Sequence, residues 1–331
     1  MKHNLYRVTE ETITSLAGLW NSPGNRVNWH CLFVSPPWLK AWIDSFGTRS
    51  TPYLRAIRSE DSLVGVVPLI LNNDHSSAAF AGDTSVCDYL DFVIVPGREK
   101  EFFACMVRDL RRQKVKSLVL EHVRSDSSIL TVFKDMAVHL GCRFTFQPQD
   151  VSLALKLPNT WEKYLLQLPG KQRHEIRRKL RRLHDAGTVS YLLAESPADT
   201  DRVMDTFLNF FQQNQAKKAA FMTQRMAVFF RAIAKSLAEA GILKLFTLRI
   251  DGVSAAVVMC FDFRSTRYLY NNAYDLQFSQ LSVGLMSKVL SLKDGIQSGL
   301  ITYDFLKGGE IYKIRLGGRP LQLYNCRIDL D

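Results

Sequence analysis

Apolar and polar positions in the second half of the chain follow two rhythms, and the switches between them mark out elements. Residues 188–194 alternate with a period of two and are β-rich, which predicts a strand. Ser196, Pro197 and Asp199 then supply an N-cap, a first-turn proline and a first-turn acid, so a helix opens there with Val203, Phe207 and Phe210 on its stripe. A second helix from about residue 223 carries Met226, Phe230, Ile233 and Leu237 at helical spacing and stops at Gly241. Strands follow at 242–250, 253–263 and 267–274, the first two joined by Asp251-Gly252, a strong hairpin signal. A helix over 282–298 buries Leu285, Val289, Leu292 and Ile296 and stops at Gly299. A strand at 301–306, a short helix at 310–316 and a strand at 321–328 complete the order β-α-α-β-β-β-α-β-α-β.

The first half reads as a looser version of the same plan. A strand is expected at 5–9, a helix opening at Ser35-Pro36-Pro37-Trp38 with Leu39, Trp42 and Phe46, and a hairpin of 53–58 with 63–71. A helix at 99–113, a strand at 117–122, a helix at 126–140 and a strand at 142–147 follow. The hairpin segments 54–58/63–67 and 245–249/253–257 look alike. A tandem repeat of one α/β domain accounts for this; two unrelated hairpins are the alternative. At roughly 100–200 residues per domain, the chain length suggests about two domains. With the joint near 149–157, the expected division is 1–150 and 151–331.

Charge sharpens the picture. Lys and Arg number 43 against 32 acids, a net charge of +11, which points to an anionic partner: nucleic acid, a membrane surface or a phosphorylated ligand. More than half of the excess lies in residues 171–182, within one helix predicted over 171–186. Lys171, Arg173, Arg177, Arg178, Lys179, Arg181 and Arg182 face a single acid, Glu175, while Ile176, Leu180 and Leu183 form a narrow docking stripe. Its cationic face reads as a solvated surface, as a phosphate or polyanion site, or as a membrane-facing patch. One aromatic, Tyr164, lies just upstream, which is thin support for a base-stacking platform.

Other chemistry is sparse. The apolar run 63–71 is interrupted by Gly65 and Pro68 and is too short to span a bilayer, so no stable membrane insertion is expected. The residues from Met1 to Arg7 carry no secretory pattern, and a cytoplasmic location is expected. The six cysteines form no C-x-x-C pair and read as buried free thiols; a catalytic thiolate would need an activating neighbour that the sequence does not show. The seven histidines, His3 among them, have no zinc spacing, so no metal is expected. P-loop, G-x-G-x-x-G and G-x-S-x-G patterns are absent.

Three segments together resemble the CelD/BcsL-like family of the GNAT (Gcn5-related N-acetyltransferase) superfamily. They are Phe33-Val34-Ser35-Pro36-Pro37-Trp38-Leu39-Lys40-Ala41-Trp42, the basic run from Lys171 to Leu180, and the stretch from Gly299 to Lys313 that contains Asp304-Phe305, Gly308 and Tyr312-Lys313. The resemblance implies a mixed-sheet α/β fold of two tandem GNAT-like domains, the first degenerate, an arrangement shared with Fem-type aminoacyl transferases. It implies an acyl-CoA-dependent N-acyltransferase, with acetyl-CoA or another acyl-CoA as donor, no metal, and an amine acceptor in polysaccharide or cell-envelope metabolism. A Fem-like enzyme using aminoacyl-tRNA and a non-catalytic scaffold of a biosynthetic assembly stay open as alternatives.

In that fold the strands at 267–274 and 301–306 splay, and the donor pyrophosphate sits at the N-terminus of the next helix, where free N–H groups favour an anion. The resemblance places this turn at Gln280, Ser282, Val283 and Gly284, with one glycine where GNAT enzymes usually have more. A plain helix N-cap at Ser282 is the alternative. Backbone near Asn272 would polarise the thioester carbonyl. Asp304, at the end of an apolar strand, is the candidate base, since partial burial would raise its pKa; binding Lys307 or capping the next turn is its alternative. Tyr312 is the candidate acid for the leaving thiolate, or else a packed aromatic. Lys307, Glu310 and Lys313 are candidate substrate contacts. In the first domain Asp88, Tyr89 and Asp91 are candidate acceptor contacts, with solvated turn acids as the alternative.

Overall fold

The structure is a computed structural model, and it describes residues 6–22, 27, 29–47, 50–60, 62–213 and 220–331. Leu5, the expected start of the first strand, and His3 lie outside the described residues. The chain divides into two compact units: Met1–Val151 with Leu321–Asp331, and Ser152–Pro320. The expected boundary put all residues after 150 in the second domain; the final strand instead counts with the first unit, for a reason its pairing makes plain.

The first unit runs β1 (Tyr6–Glu10), α1 (Ile13–Asn21), α2 (Pro36–Phe46), β2 (Thr51–Ser59), β3 (Ser62–Leu71), β4 (Ser77–Phe80), β5 (Val93–Ile94), α3 (Glu99–Arg112), β6 (Ser117–Arg124), a π-turn over Ile129–Phe133 leading into α4 (Lys134–Met136), and β7 (Arg143–Lys156). Antiparallel pairings join β1 to β2, β2 to β3 and β3 to β4, and a parallel one joins β4 to β6. The closing strand is β13 (Arg319–Asp329), which pairs antiparallel with β6 from Leu323↔Arg124 to Asp329↔Ser117. That register holds the chain's end in the first unit.

The helix expected at 126–140 is reduced to the π-turn and α4. Its apolar face still docks, with Ile129, Phe133 and Ala137 buried, but Cys142 N–H bonds back to the Ala137 carbonyl and ends it. Helix α1 and the short strands β4 and β5 were not expected. The core is dense in aromatics: Phe92, Phe102, Phe103 and Phe133 form a run of ring contacts with centroids 5.0–6.0 Å apart.

The second unit begins within β7, so the predicted joint falls inside one continuous strand. It continues through α5 (Trp161–Gln167), α6 (Gly170–Asp185), β8 (Val189–Leu193), α7 (Pro197–Gln213), α8 (Gln224–Glu239), β9 (Leu243–Ile250), β10 (Val253–Phe263), β11 (Thr266–Tyr274), α9 (Val283–Gln297), β12 (Thr302–Lys307) and α10 (Ile311–Arg315). Strands β8, β9, β10 and β11 pair antiparallel in turn, β11 pairs parallel with β12, and β12 antiparallel with the end of β7. This is the same succession of pairings as β1-β2-β3-β4-β6-β13.

The two hairpins also share a defect. In β2–β3 the register slips by one residue at Val64, and in β9–β10 at Ala255, each the third residue of its second strand. The repeat seen in sequence is therefore a repeat in backbone detail.

Positive φ at Gly241 (70°) and Gly299 (74°) ends α8 and α9 as the sequence suggests. Helix α9 departs from the single stripe expected of it. Leu285 is half-buried, while Val283, Gly284, Met286, Ser287 and Ser291 are buried, so the helix is covered on more than one side.

Candidate active site

Strands β11 and β12 pair only over Thr266↔Thr302, Arg267↔Tyr303 and Tyr268↔Asp304. Beyond that point each strand carries an irregularity. On β11, Leu269 pairs with Cys260 and Asn271 with Met259, so Tyr270 is an extra residue that bulges the strand. On β12 the register against β7 slips between Asp304 and Leu306, and Leu306 takes a left-handed φ of 63°. A buried leucine in that conformation is strained, and the surrounding bonds hold it there. Two parallel strands thus part at Asp304, opening the kind of crevice where α/β folds place ligands, at the carboxyl ends of their strands.

Asp304 is 2% exposed, and its Oδ1 accepts a 2.7 Å hydrogen bond from the Leu306 N–H across the bulge. The next turn is fixed from beneath by Lys313. Its ammonium donates to the carbonyls of Leu306 (3.2 Å) and Gly308 (3.2 Å) and of Lys307, and pairs with Glu310 at 2.9 Å. With Lys313 itself buried, this charge serves the turn of Lys307 and Gly308, and Glu310 is the half-exposed partner that balances it. Gly308 has φ 104°, open to glycine alone at low cost. Tyr312, half-buried on α10, receives the Lys288 ammonium over its ring at 4.3 Å from the centroid.

At the other side of the fork, Asn272 is buried. Its amide donates to the Val257 carbonyl (3.2 Å) and to Ser287 Oγ (3.0 Å), tying β11 to β10 and α9. A short 3₁₀ turn, Leu276–Leu281, then carries the exposed Gln280 to α9. Ser282 occupies the N-cap position of α9 without the side-chain cap that its alternative reading called for. Its φ/ψ of 57°/35° is left-handed and its side chain makes no capping bond. A helical residue followed by a left-handed one turns successive N–H groups to one side, a concavity suited to an anion, at the positive end of a helix. Gly284 is required by packing: a Cβ there would lie 2.6 Å from Tyr274 Cδ1. That close approach brings the start of α9 onto β11.

Beneath the fork lies a buried polar cluster that reading the sequence did not single out. Arg267 is 0% exposed and places its guanidinium on both oxygens of Asp262 (2.7 Å each), on Asp294 (2.7 Å) and on the Ser291 carbonyl (2.7 Å). Tyr303 shares a 2.6 Å hydrogen bond with Ser291 Oγ, and burial pushes its phenol well above the ordinary tyrosine range. Arg267 and Tyr303 face α9, so by strand alternation their neighbours Tyr268 and Asp304 face the opposite layer. The pair Asp262↔Arg267 flanks a two-residue hairpin loop, Arg264-Ser265, and this spacing was the available signal.

The basic helix α6 begins at Gly170, one residue before the expected start. It buries Ile176 and Leu183 and exposes Lys171, Arg177 and Arg181, with Arg173 half-buried. Arg178 is bidentate to Glu175 (3.0 and 2.9 Å). Helix α6 packs against α9, α5 and the 3₁₀ turn that precedes Ser282.

In the first unit, Asp91 is an internal carboxylate: it accepts from Ser127 Oγ (2.8 Å) and the Phe92 N–H (2.8 Å) and lies 3.2 Å from His30 Nε2. Tyr89 is buried edge-on against Phe33, under Arg124, and Asp88 is half-buried. All six cysteines are free and buried, and burial raises the thiols of Cys31, Cys260 and Cys326 to about 12, away from thiolate chemistry. Among the described residues no group of three or more His, Cys, Asp or Glu is placed to hold a metal ion, and no helix is long and apolar enough to cross a membrane.

Comparison with known proteins agrees with this geometry. Residues 170–314 match the family model described as the acetyltransferase (GNAT) domain. This segment runs from α6 into α10 and contains the fork. Comparison with curated proteins finds no match. Among solved structures, FemX is similar at 12% identity and a TM-score of 0.67, over 97% of this chain and 96% of that one. A tandem GNAT protein from the clavulanic acid biosynthesis pathway is similar at 11% identity and 0.50, over 98% and 99%. L-PGS from Bacillus licheniformis is similar at 9% identity and 0.53, over 88% and 90%. At these identities the likeness is one of fold, that of tandem GNAT structures.

Proposed function

We propose that this GNAT-fold acyltransferase is an acyl-CoA-dependent N-acyltransferase in which an amine attacks the thioester directly. The observation that carries the reading is the parting of β11 and β12 at Asp304, with the uncapped, left-handed start of α9 following β11. The acyl-pantetheine arm would enter the fork, and the pyrophosphate would meet the N–H groups of Val283 and Gly284 beside Ser282 and Gln280. Acetyl-CoA is the first donor to test.

In the reaction the amine nitrogen forms a bond to the acyl carbon and the C–S bond breaks. Asp304 takes the proton the amine loses, and Tyr312 returns one to the thiolate. Backbone of β11 near Asn272, aligned by the Tyr270 bulge, would polarise the carbonyl. Lys313 and Glu310 hold the turn that carries Lys307 toward substrate. Polysaccharide or cell-envelope amines are proposed as the acceptor class.

The test is a thermal-shift panel of acetyl-CoA, longer acyl-CoAs, free CoA and aminoacyl-tRNA, followed by turnover of Asp304→Asn. Binding of CoA thioesters with lost turnover in the variant supports the reading. Full turnover in Asp304→Asn removes the base assignment.

A second reading rests on α6, a strongly basic helix that packs against the turn before Ser282. It makes the donor's carrier a polyanion, as in an aminoacyl-tRNA. Donor affinity would then fall steeply with salt and with charge reversal at Arg177 and Arg181.

A further inference from the structure

Helix α6 is far more basic than its packing requires. Its sequence holds seven Lys and Arg residues against two acids, Glu175 and the terminal Asp185. Glu175 is taken by Arg178 and Lys179, at 2.9 and 3.4 Å. The side chains of Lys171, Arg173, Arg177, Arg181 and Arg182 make no hydrogen bond or ion pair among the described residues.

The direction of these charges follows from helix geometry. Ile176 and Leu183 are buried, while Lys171, Arg177, Arg178, Arg181 and Arg182 are exposed. At about 100° per residue the five exposed cations cover about 140° of the circumference, centred opposite the buried pair, along about 16 Å of helix. Arg177 and Arg181, and Arg178 and Arg182, stand one turn apart, where like charges repel. The face therefore costs stability until an anionic surface covers it. No phenylalanine, tyrosine or tryptophan stands on α6 to stack a base. Instead, the two elements that pack beside it present aliphatic side chains to solvent: Leu166 on α5 is 68% exposed, and Leu276 in the 3₁₀ turn is 49% exposed. Aliphatic groups gain nothing against a phosphate backbone, but they gain from burial at the acyl boundary of a bilayer.

We infer that α6, with Leu166 and Leu276 on the elements packed against it, is the surface by which this chain docks on a membrane of anionic phospholipid. The guanidinium groups meet the headgroups and the leucines enter the acyl boundary, a peripheral contact that needs no spanning helix. Because α6 packs against the turn that leads into α9, docking brings that turn to the membrane. The binding is independent of the donor that the fork takes.

The test is co-sedimentation of the full chain with vesicles of phosphatidylcholine, with and without phosphatidylserine. Binding to the phosphatidylserine vesicles alone, weakening as salt rises, supports the surface. Arg177→Glu with Arg181→Glu should weaken it at least about tenfold, and Arg177→Gln with Arg181→Gln less. Lys100→Glu with Lys235→Glu makes the same change of net charge at exposed positions on α3 and α8 and should leave binding unchanged. Leu166→Ser with Leu276→Ser should weaken it several-fold. Vesicle binding that ignores lipid charge, survives the arginine reversals or falls equally in the Lys100 and Lys235 pair overturns the inference. An RNA hairpin is the rival occupant: RNA held through Arg177 and Arg181 with no binding to anionic vesicles also overturns it.

Discussion

Arg267 is the residue whose removal tests the architecture of the fork most sharply. Its guanidinium is fully buried and joins β10, through Asp262, to α9, through Asp294 and the Ser291 carbonyl. Arg267→Met keeps much of the side-chain volume but leaves two carboxylates without their cation. Breaking a buried pair from one side costs about 3–5 kcal/mol. Asp262 is 15% exposed and stays poorly solvated, whereas Asp294 at 37% recovers hydration, which places the loss near the lower end, about 3 kcal/mol. Because a chain of two compact units need not unfold in one step, the readout is hydrogen exchange of the α9 amides. A loss of that size speeds their exchange roughly a hundredfold. Asp262→Asn should lose more protection than Asp294→Asn, and Arg267→Lys should lose part of it, since an ammonium cannot fork. Less than a tenfold change in Arg267→Met would refute the claim that this cluster fastens α9 to the sheet.

Further outcomes follow from the same reasoning. The β10–β11 turn places Arg264 and Ser265 at φ 48° and 60°, so Arg264→Asn with Ser265→Gly should raise stability by about 1 kcal/mol, read as a higher thermal midpoint; a lower one contradicts the turn assignment. Gly284→Ala should weaken donor binding and lower stability by about 1–3 kcal/mol less the roughly 1 kcal/mol gain in helix propensity, because its Cβ meets Tyr274; Tyr274→Leu should restore part of both. Burial of Glu11 opposes its charge, but hydrogen bonds from Ser15, Thr9 and Arg58 outweigh this and lower its pKa. Its contribution is therefore full above the unfolded value of about 4.3 and fades as pH falls through the lower folded value, so wild type and Glu11→Gln should converge in urea midpoint in that acid window. A thiol reagent should label none of the six buried cysteines quickly in the native chain and all six in denaturant, and one fast native thiol would contradict their burial.

The sequence made local structure legible wherever a short-range rule decides it. Pro197 opens α7, Gly241 and Gly299 close α8 and α9, and Asp251-Gly252 turns β9 into β10. What it hid depends on pairing between distant segments. The end of the chain joins β6 because of a register that no local pattern encodes, and β7 runs unbroken through the predicted joint. Within the candidate site, Asp304, Ser282 and Gly284 could be named from a motif, but their setting could not. The bulges at Tyr270 and Phe305, the left-handed Ser282 and the Arg267 cluster are set by tertiary contacts that override propensity. Lys313 shows the same limit: as a lysine near a glycine turn it reads as a substrate contact, whereas its ammonium is bonded to the turn's own carbonyls.

The central claim is that the fork at Asp304 and the start of α9 hold a CoA thioester. Hydrogen exchange of the full chain with and without acetyl-CoA tests it directly. The account predicts protection of the amides of Ser282, Val283 and Gly284 and of residues 271–274, diminished in Gly284→Ala. Protection confined to other segments, or none at saturating acetyl-CoA, would contradict it.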